Sequence, residues 1–298
     1  MTNETTKTGR LVMAIVAFLI GLYLLFVSPY VANAALNTPL HRLVEVFQVA
    51  QPNGVWDTPV GILTATYLFW IGAYVFAGAT LVVISKAIYD DLKWARPLAL
   101  TMLAIPSIGG MTMTIPWIVL VLLDPNENKV PGAPAPVAMP IMFIGLVGYF
   151  IMLLTEKSDG KTKIAQIVTF TALGVVGGMV WMNAQHGVRF MLARPSAPFF
   201  EPNESNPELF LGGFVMYAAV AFFIVTIYLL AARKEAGVYV GAMVGVLTMV
   251  VNILSYVDRK AAGMPSASDW MRGAILSLVL LVILLTPWFK DRVLGKTS

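Results

Sequence analysis

Residues 59 to 88 read PVGILTATYLFWIGAYVFAGATLVVISKAI, with no charge before Lys86. An α-helix rises 1.5 Å per residue, so about 20 such residues cross a hydrocarbon core of about 30 Å. The stretch shows no period-two alternation, which argues for a helix and against a barrel strand. Seven further stretches share its character, near 11 to 33, 97 to 123, 138 to 155, 162 to 187, 208 to 232, 236 to 256 and 270 to 289. The whole chain agrees: of 298 residues 58% are apolar and only 12% charged, and the mean hydropathy is +0.78. A soluble domain carries about 25% charged residues. The sequence therefore predicts an all-α integral membrane protein with eight transmembrane helices. It forms one membrane domain, 1 to 298, without a large soluble part; residues 58 to 203 hold its core helices and 206 to 290 a second set.

Orientation follows from Lys and Arg. With the N-terminus inside, thirteen of the twenty lie in cytoplasmic segments: Lys7, Arg10, Lys86, Lys93, Arg96, Lys157, Lys161, Lys163, Arg233, Lys234, Lys290, Arg292 and Lys296. Both termini are then cytoplasmic. The basic clusters sit in short loops between apolar runs, so the high pI reflects membrane orientation and not a nucleic-acid partner. Lys7 and Arg10 precede an apolar stretch ending in Ala32-Asn33-Ala34, the small-residue pattern of a signal-peptidase site. That stretch is longer than a usual signal core, and is read as an uncleaved helix.

Between the spans, Leu40, Leu43, Val44 and Phe47 recur at i, i+3, i+4 and i+7 behind Thr38 and Pro39. This predicts a short amphipathic helix over 38 to 50 on the outer face. Pro125, Pro131, Pro134 and Pro136 make 124 to 137 a stiff outer connection. Trp56-Asp57-Thr58-Pro59 reads as an interface anchor and helix start.

Intramembrane polar groups mark function because the bilayer penalises them. The span centres here lack ionisable residues, which argues against proton pumps, carboxylate-based ion coupling and voltage sensing. The polar side chains gather at outer helix ends. Asn183, His186 and Arg189 follow at i, i+3 spacing near the end of the fifth span, with Arg194 beyond. An imidazole there can hydrogen-bond a quinone oxygen and take its proton; alternatively, His186 caps backbone carbonyls while the arginines reach for water. Asn252, Tyr256 and Arg259 form a second polar cluster ending the seventh span. It reads as an interface ring or as a site for a headgroup or partner. Gly72, Ala73, Ala77 and Gly78, with Gly109, Gly110, Gly174, Gly177 and Gly178, invite close helix approach.

The chain has no Cys, which excludes thiolate metal sites and Cys-ligated clusters, and only two His, His41 and His186. A transmembrane pair of bis-His haems needs four. No haem and no metal are expected.

Taken in order, Tyr67-Leu68-Phe69-Trp70-Ile71-Gly72 with Ala77-Gly78, a basic turn leading to a helix that ends Pro116-Trp117, and a later helix closing with His186 and Ala193-Arg194-Pro195 resemble the NrfD-like family. These are the membrane subunits of polysulfide reductase and related complexes. The likeness spans roughly residues 58 to 215. Ser196 and Ala197 stand where the family usually has aromatics, and Ala73 replaces the second glycine of an early Gly-Gly pair. The resemblance implies an eight-helix, haem-free anchor in a prokaryotic cell (inner) membrane. Such a subunit exchanges electrons between a quinone (menaquinone or ubiquinone) and a partner iron–sulfur protein, often joined to a molybdopterin subunit. His186 would be its catalytic residue, and Asn183, His186, Arg189, Arg194 and Tyr67 its quinone contacts.

Two other classes compete. Arg42, Arg189, Arg194, Arg259 and Lys260, all on the outer side, would suit an anionic lipid or phosphate headgroup. A purely structural accessory subunit needs neither site. An apolar crevice between helices that ends at His186 speaks for quinone, a convergent, solvent-open basic pocket for phosphate, and neither of these for a structural subunit.

Overall fold

The structure, a computed structural model, describes residues 5–50, 57–118, 138–192, 211–261 and 267–296. Among these residues every regular element is helical and there is no strand. The chain divides into two compact units, Met1–Lys157 and Ser158–Ser298. The boundary therefore falls inside the 58 to 203 stretch that the sequence groups together.

The first unit holds α1 (Lys7–Phe26), α2 (Ser28–His41), α3 (Asp57–Tyr89), α4 (Ala95–Trp117) and α5 (Met139–Leu154). Thr6 caps α1, its hydroxyl oxygen accepting from Gly9 N–H at 3.1 Å. The expected first span, 11 to 33, is divided at Val27. Pro29 lacks an N–H and cannot continue the ladder, so a second helix starts there. Ser28 Oγ donates to the Leu24 carbonyl at 2.7 Å across the break, and Ala32-Asn33-Ala34 lies inside α2. The amphipathic helix expected over 38 to 50 thus begins ten residues earlier, and Pro39 sits within it. Wider π-helical turns follow over Arg42–Phe47. Of the expected apolar stripe Leu43 is buried and Val44 exposed, while the buried face runs through Ala32, Ala35, Leu36 and Arg42. That face packs on α3 and α4.

Within this unit α1 packs on α3, α3 on α4, α4 on α5 and α5 on α1. The α1–α3 contact is backbone to backbone. A Cβ at Gly78 would stand 2.7 Å from the Gly21 carbonyl oxygen, and one at Gly21 2.9 Å from that of Gly78. At Gly72, which the sequence grouped with them, an added Cβ meets nothing within 4 Å. Gly78→Ala is therefore expected to lower stability by about 1–3 kcal/mol by forcing two backbones apart. Gly72→Ala serves as the control that leaves the thermal midpoint in detergent intact, and equal midpoints for both variants would refute the close-contact role.

Helix α4 is the most enclosed, and its hydroxyls turn back on its own carbonyls: Thr101 to Pro97 at 2.9 Å, Ser107 to Leu103 at 2.8 Å and Thr114 to Gly110 at 2.7 Å. Such bonds let polar residues and Pro106 sit in an apolar interior. Two of the unit's ion pairs join the N-terminal ends of α1 and α4 to neighbouring helix ends. Arg10 meets Asp91 at 3.4 Å and Arg96 meets Glu156 at 2.6 Å.

The second unit comprises α6 (Gly160–Leu192), π-helical turns over Leu211–Val215, α7 (Met216–Ala231), α8 (Ala236–Ala261), α9 (Ala267–Leu285) and the short α10 (Pro287–Val293). Its long helices close a ring, α6 on α7, α7 on α8, α8 on α9 and α9 on α6, and α10 folds back on α6. Asp159 starts α6: hydrogen bonds from the Thr162 side chain and from Thr162 N–H, the latter at 2.8 Å, hold its carboxyl below its usual range. Arg292–Asp159 at 3.8 Å and Lys296–Glu235 at 3.1 Å tie that end of the unit together.

Among the described residues seven helices are long and apolar enough to cross a membrane: Lys7–Phe26, Pro59–Tyr89, Ala95–Ile115, Gly160–Arg189, Gly212–Ala231, Ala236–Ala261 and Ala267–Leu285. The stretch expected as the fourth span is apolar but forms 16 helical residues, Met139–Leu154, with Pro140 in its first turn. That is short of the usual length for a full crossing. The 124 to 137 connection lies outside the described residues.

Candidate functional site

In the second unit, Asn183, His186 and Arg189 occupy the last turns of α6. Asn183 is 1% exposed, and His186 and Arg189 are half-buried. The backbone there is pinned, because a Cβ at Gly187 would stand 2.5 Å from the Gly212 carbonyl. On α8, residues 252, 255 and 259 recur at i, i+3 and i+7, and Asn252, Ser255 and Arg259 are all buried to within 1%. Helix α9 contributes Trp270, equally buried, and Gly273.

These side chains form one contiguous cluster. Asn183 Nδ2 donates to Asn252 Oδ1 at 2.8 Å. A Cβ at Gly273 would lie 2.7 Å from both of those atoms, so only glycine lets α9 close over the pair. The Arg259 guanidinium carbon stands 5.0 Å from the Trp270 ring centroid, a cation–π arrangement that strengthens away from water. A Cβ at Gly212 would lie 2.8 Å from the Trp270 ring and 3.4 Å from Ser255 Oγ, which places both beside the turn that precedes α7. Arg189, Arg259 and Asp269 are the charges that act on His186. Deeper between α8 and α9, the Thr248 and Ser277 hydroxyls meet at 2.9 Å.

No protein-family model, curated protein or solved structure matches the chain. The chemistry of the cluster must therefore be read from its own atoms. Asn183 Oδ1, Asn252 Nδ2, Ser255 Oγ and Trp270 Nε1 are buried and have no hydrogen-bond partner among the described residues. Turning both amides over exchanges the roles of the two asparagines but still leaves one N–H group and one oxygen unspent. Buried polar groups are nearly always paired, and each unpaired one costs about 1–3 kcal/mol. These four groups are hydrogen-bonding valences that a bound polar group would fill.

The two polar clusters that the sequence separated, on α6 and α8, thus meet through Asn183 and Asn252. Tyr256 stands apart from the inward stripe, half-buried, with Lys260 5.5 Å over its ring. Arg194 lies outside the described residues. Tyr67 belongs to the first unit, where its hydroxyl donates to the Met113 carbonyl at 2.6 Å and the neighbouring Trp70 and Tyr74 stack. Arg42 is also in that unit, 1% exposed. Sequence reasoning passed over Ser255 and Trp270. Continuing the α8 stripe by one i+3 step identifies Ser255, whereas Trp270 reads as an interface anchor until Arg259 is seen above it.

Proposed function

We propose that the chain is the quinone-reactive membrane anchor of an oxidoreductase complex, with eight crossings, both termini cytoplasmic and the Asn183–His186–Arg259 end facing outward. Oxidising one quinol releases two protons and two electrons. A partner's iron–sulfur cluster would take the two electrons, and His186 at the end of α6 would accept the two protons in turn and pass each to the outer aqueous side through the polar groups at that end. The single observation that carries the reading is the contiguous set of buried, hydrogen-bond-unfilled groups in the apolar interior beside a half-buried imidazole. A quinone headgroup combines a flat apolar ring with two polar oxygens and suits that mixture. The resemblance to the NrfD-like family supports the same reading. A phosphate headgroup would favour an open basic surface, yet Arg259 is fully enclosed and the exposed Lys260 leans on Tyr256.

Protein purified from its native membrane is expected to carry an extractable quinone and to bring an iron–sulfur subunit with it. Topology reporters should place residues 128 and 200 outside and 158 inside. Recovery of phospholipid alone, released when the arginines are replaced, would favour the headgroup reading; an inside signal at 200 would remove the proposed orientation.

A further inference from the structure

We infer that α10, with the α7–α8 turn and the start of α6, forms a binding surface for anionic phospholipid. The surface lies at the other end of α6 from Asn183 and is independent of the quinone reading. Helix α9 has 19 residues, about 28 Å, so a chain that enters the hydrocarbon near Ala267 leaves it near Leu285. At Thr286 the backbone becomes extended, the hydroxyl donates to the Val282 carbonyl at 2.6 Å, and Pro287 opens α10. A seven-residue helix at that point has the headgroup layer as its surroundings. Its side chains suit that layer. Trp288 is exposed and meets Phe289 edge to face, centroids 4.7 Å apart, while Val293 and Leu294 are buried and hold the element against the unit. Aromatic rings followed at once by Lys290 and Arg292 are the pattern of a helix lying in a membrane interface.

Charge selects the headgroup. The three segments that meet at this end, 158–163, 232–235 and 287–296, carry seven cations against three carboxylates. Their contacts gather them around α10. Arg292 reaches Asp159 at 3.8 Å with its guanidinium carbon 5.0 Å from the Trp288 ring centroid, and Lys161 also acts on Asp159. Lys296 bonds Glu235 at 3.1 Å, and a Cβ at Gly295 would stand 2.8 Å from an Arg233 guanidinium nitrogen. Two of the three carboxylates are thus engaged, whereas Lys234 and Lys290 form no ion pair among the described residues. The turn that presents Lys234 has a fixed shape: Arg233 and Lys234 N–H donate to the Leu230 and Leu229 carbonyls at 2.9 and 2.8 Å.

A lipid with net negative charge meets surplus cations here, whereas a zwitterionic headgroup brings a cation of its own. The exposed Trp288 ring beside those cations offers apolar contact that acyl chains use and a soluble anion does not. A lysine held at an acidic membrane surface contributes about a fivefold preference, and salt screens it.

The test reconstitutes the full-length protein in phosphatidylcholine bilayers that hold a minor share of phosphatidylglycerol, with one lipid or the other brominated on its acyl chains. Bromine quenches nearby indole fluorescence, and the part owed to Trp288 is the difference between the wild type and Trp288→Phe, which keeps an aromatic ring in place. Phosphatidylglycerol is expected to be enriched about fivefold over phosphatidylcholine around Trp288. The enrichment should vanish in the double variant Lys234→Gln with Lys290→Gln, whose changes are confined to unpaired side chains at the surface, and should fall as salt is raised. Equal quenching by the two lipids in the wild type, or an enrichment that survives the loss of both lysines, would overturn the inference. Quenching by neither would remove α10 from the bilayer surface, and displacement by millimolar inorganic phosphate at constant ionic strength would replace the lipid with a soluble anion.

Discussion

His186→Ala is expected to lower quinol-dependent electron transfer by about 10²- to 10⁴-fold, the usual loss when a positioned acid or base is removed. The imidazole is half-buried at the end of α6, and the adjoining Gly187 is locked against Gly212, so the backbone that carries it is held in place. Rigid placement is what gives a proton acceptor its catalytic value. The change removes a ring from a half-buried position and leaves the Asn183–Asn252 bond untouched, so assembly should survive. Turnover of the assembled complex, followed with quinol as donor, is the measurement. An unchanged rate would dismiss His186 as the proton acceptor, and loss of activity in Arg189→Ala alone would point to an anionic headgroup instead.

Arg96→Ala is expected to cost about 1.5–3 kcal/mol of stability, because it removes a short charged hydrogen bond to a buried carboxylate. Glu156 is 5% exposed and bonds Arg96 at 2.6 Å, while Arg96 Nε also donates to the Met152 carbonyl near the end of α5 at 3.3 Å. The pair thus joins α4 to the last turn of α5. Replacing both partners, Arg96→Met with Glu156→Leu, should recover much of the loss, since a well-packed apolar pair often equals a buried ion pair. Lys86→Ala removes an equally short pair with Asp90, but that lysine side chain is 82% exposed and its loss should leave the thermal midpoint unchanged. Identical midpoints for the single and double changes at 96 and 156 would show that the charge pairing is unimportant.

The transmembrane helices were legible because spanning a bilayer is a one-dimensional requirement on length and polarity, and residues 59 to 88 satisfy it without knowledge of any neighbour. Other features were hidden for specific reasons. Pro29 interrupts the helix while the chain stays apolar on both sides, so hydropathy shows no break at Val27. The π-helical turns over 42–47 alter the angular step on which the i, i+3, i+4 rule depends, and the expected stripe consequently misassigns Val44. For α5 both the apolar run and its bounds were visible, 138 to 155 against a helix over Met139–Leu154, but hydropathy alone did not show that its 16 residues fall short of a full crossing. In the candidate site the face shared by Asn183, His186 and Arg189 follows from spacing alone. That α8 brings Asn252 to Asn183 does not, because periodicity reports which way a residue faces and never which helix it faces. Gly273, the residue that permits the approach, has no side chain to announce it.

The burial of Arg259 also bears on how the chain reaches the membrane. Helix α8 leaves the ribosome before α9, so Asn252, Ser255 and Arg259 arrive ahead of Trp270 and Gly273, which later enclose them. An arginine deep in a lone helix costs about 2.5–3.5 kcal/mol at insertion, and less near a helix end, where Arg259 lies. Only five residues, 262 to 266, separate α8 from α9 in the chain, so the two are suited to enter the bilayer together as a hairpin. A nascent chain halted after α8 would instead show lipid a guanidinium, an amide and a hydroxyl on one face, a mark by which quality-control proteases can tell an unfinished copy from a finished one.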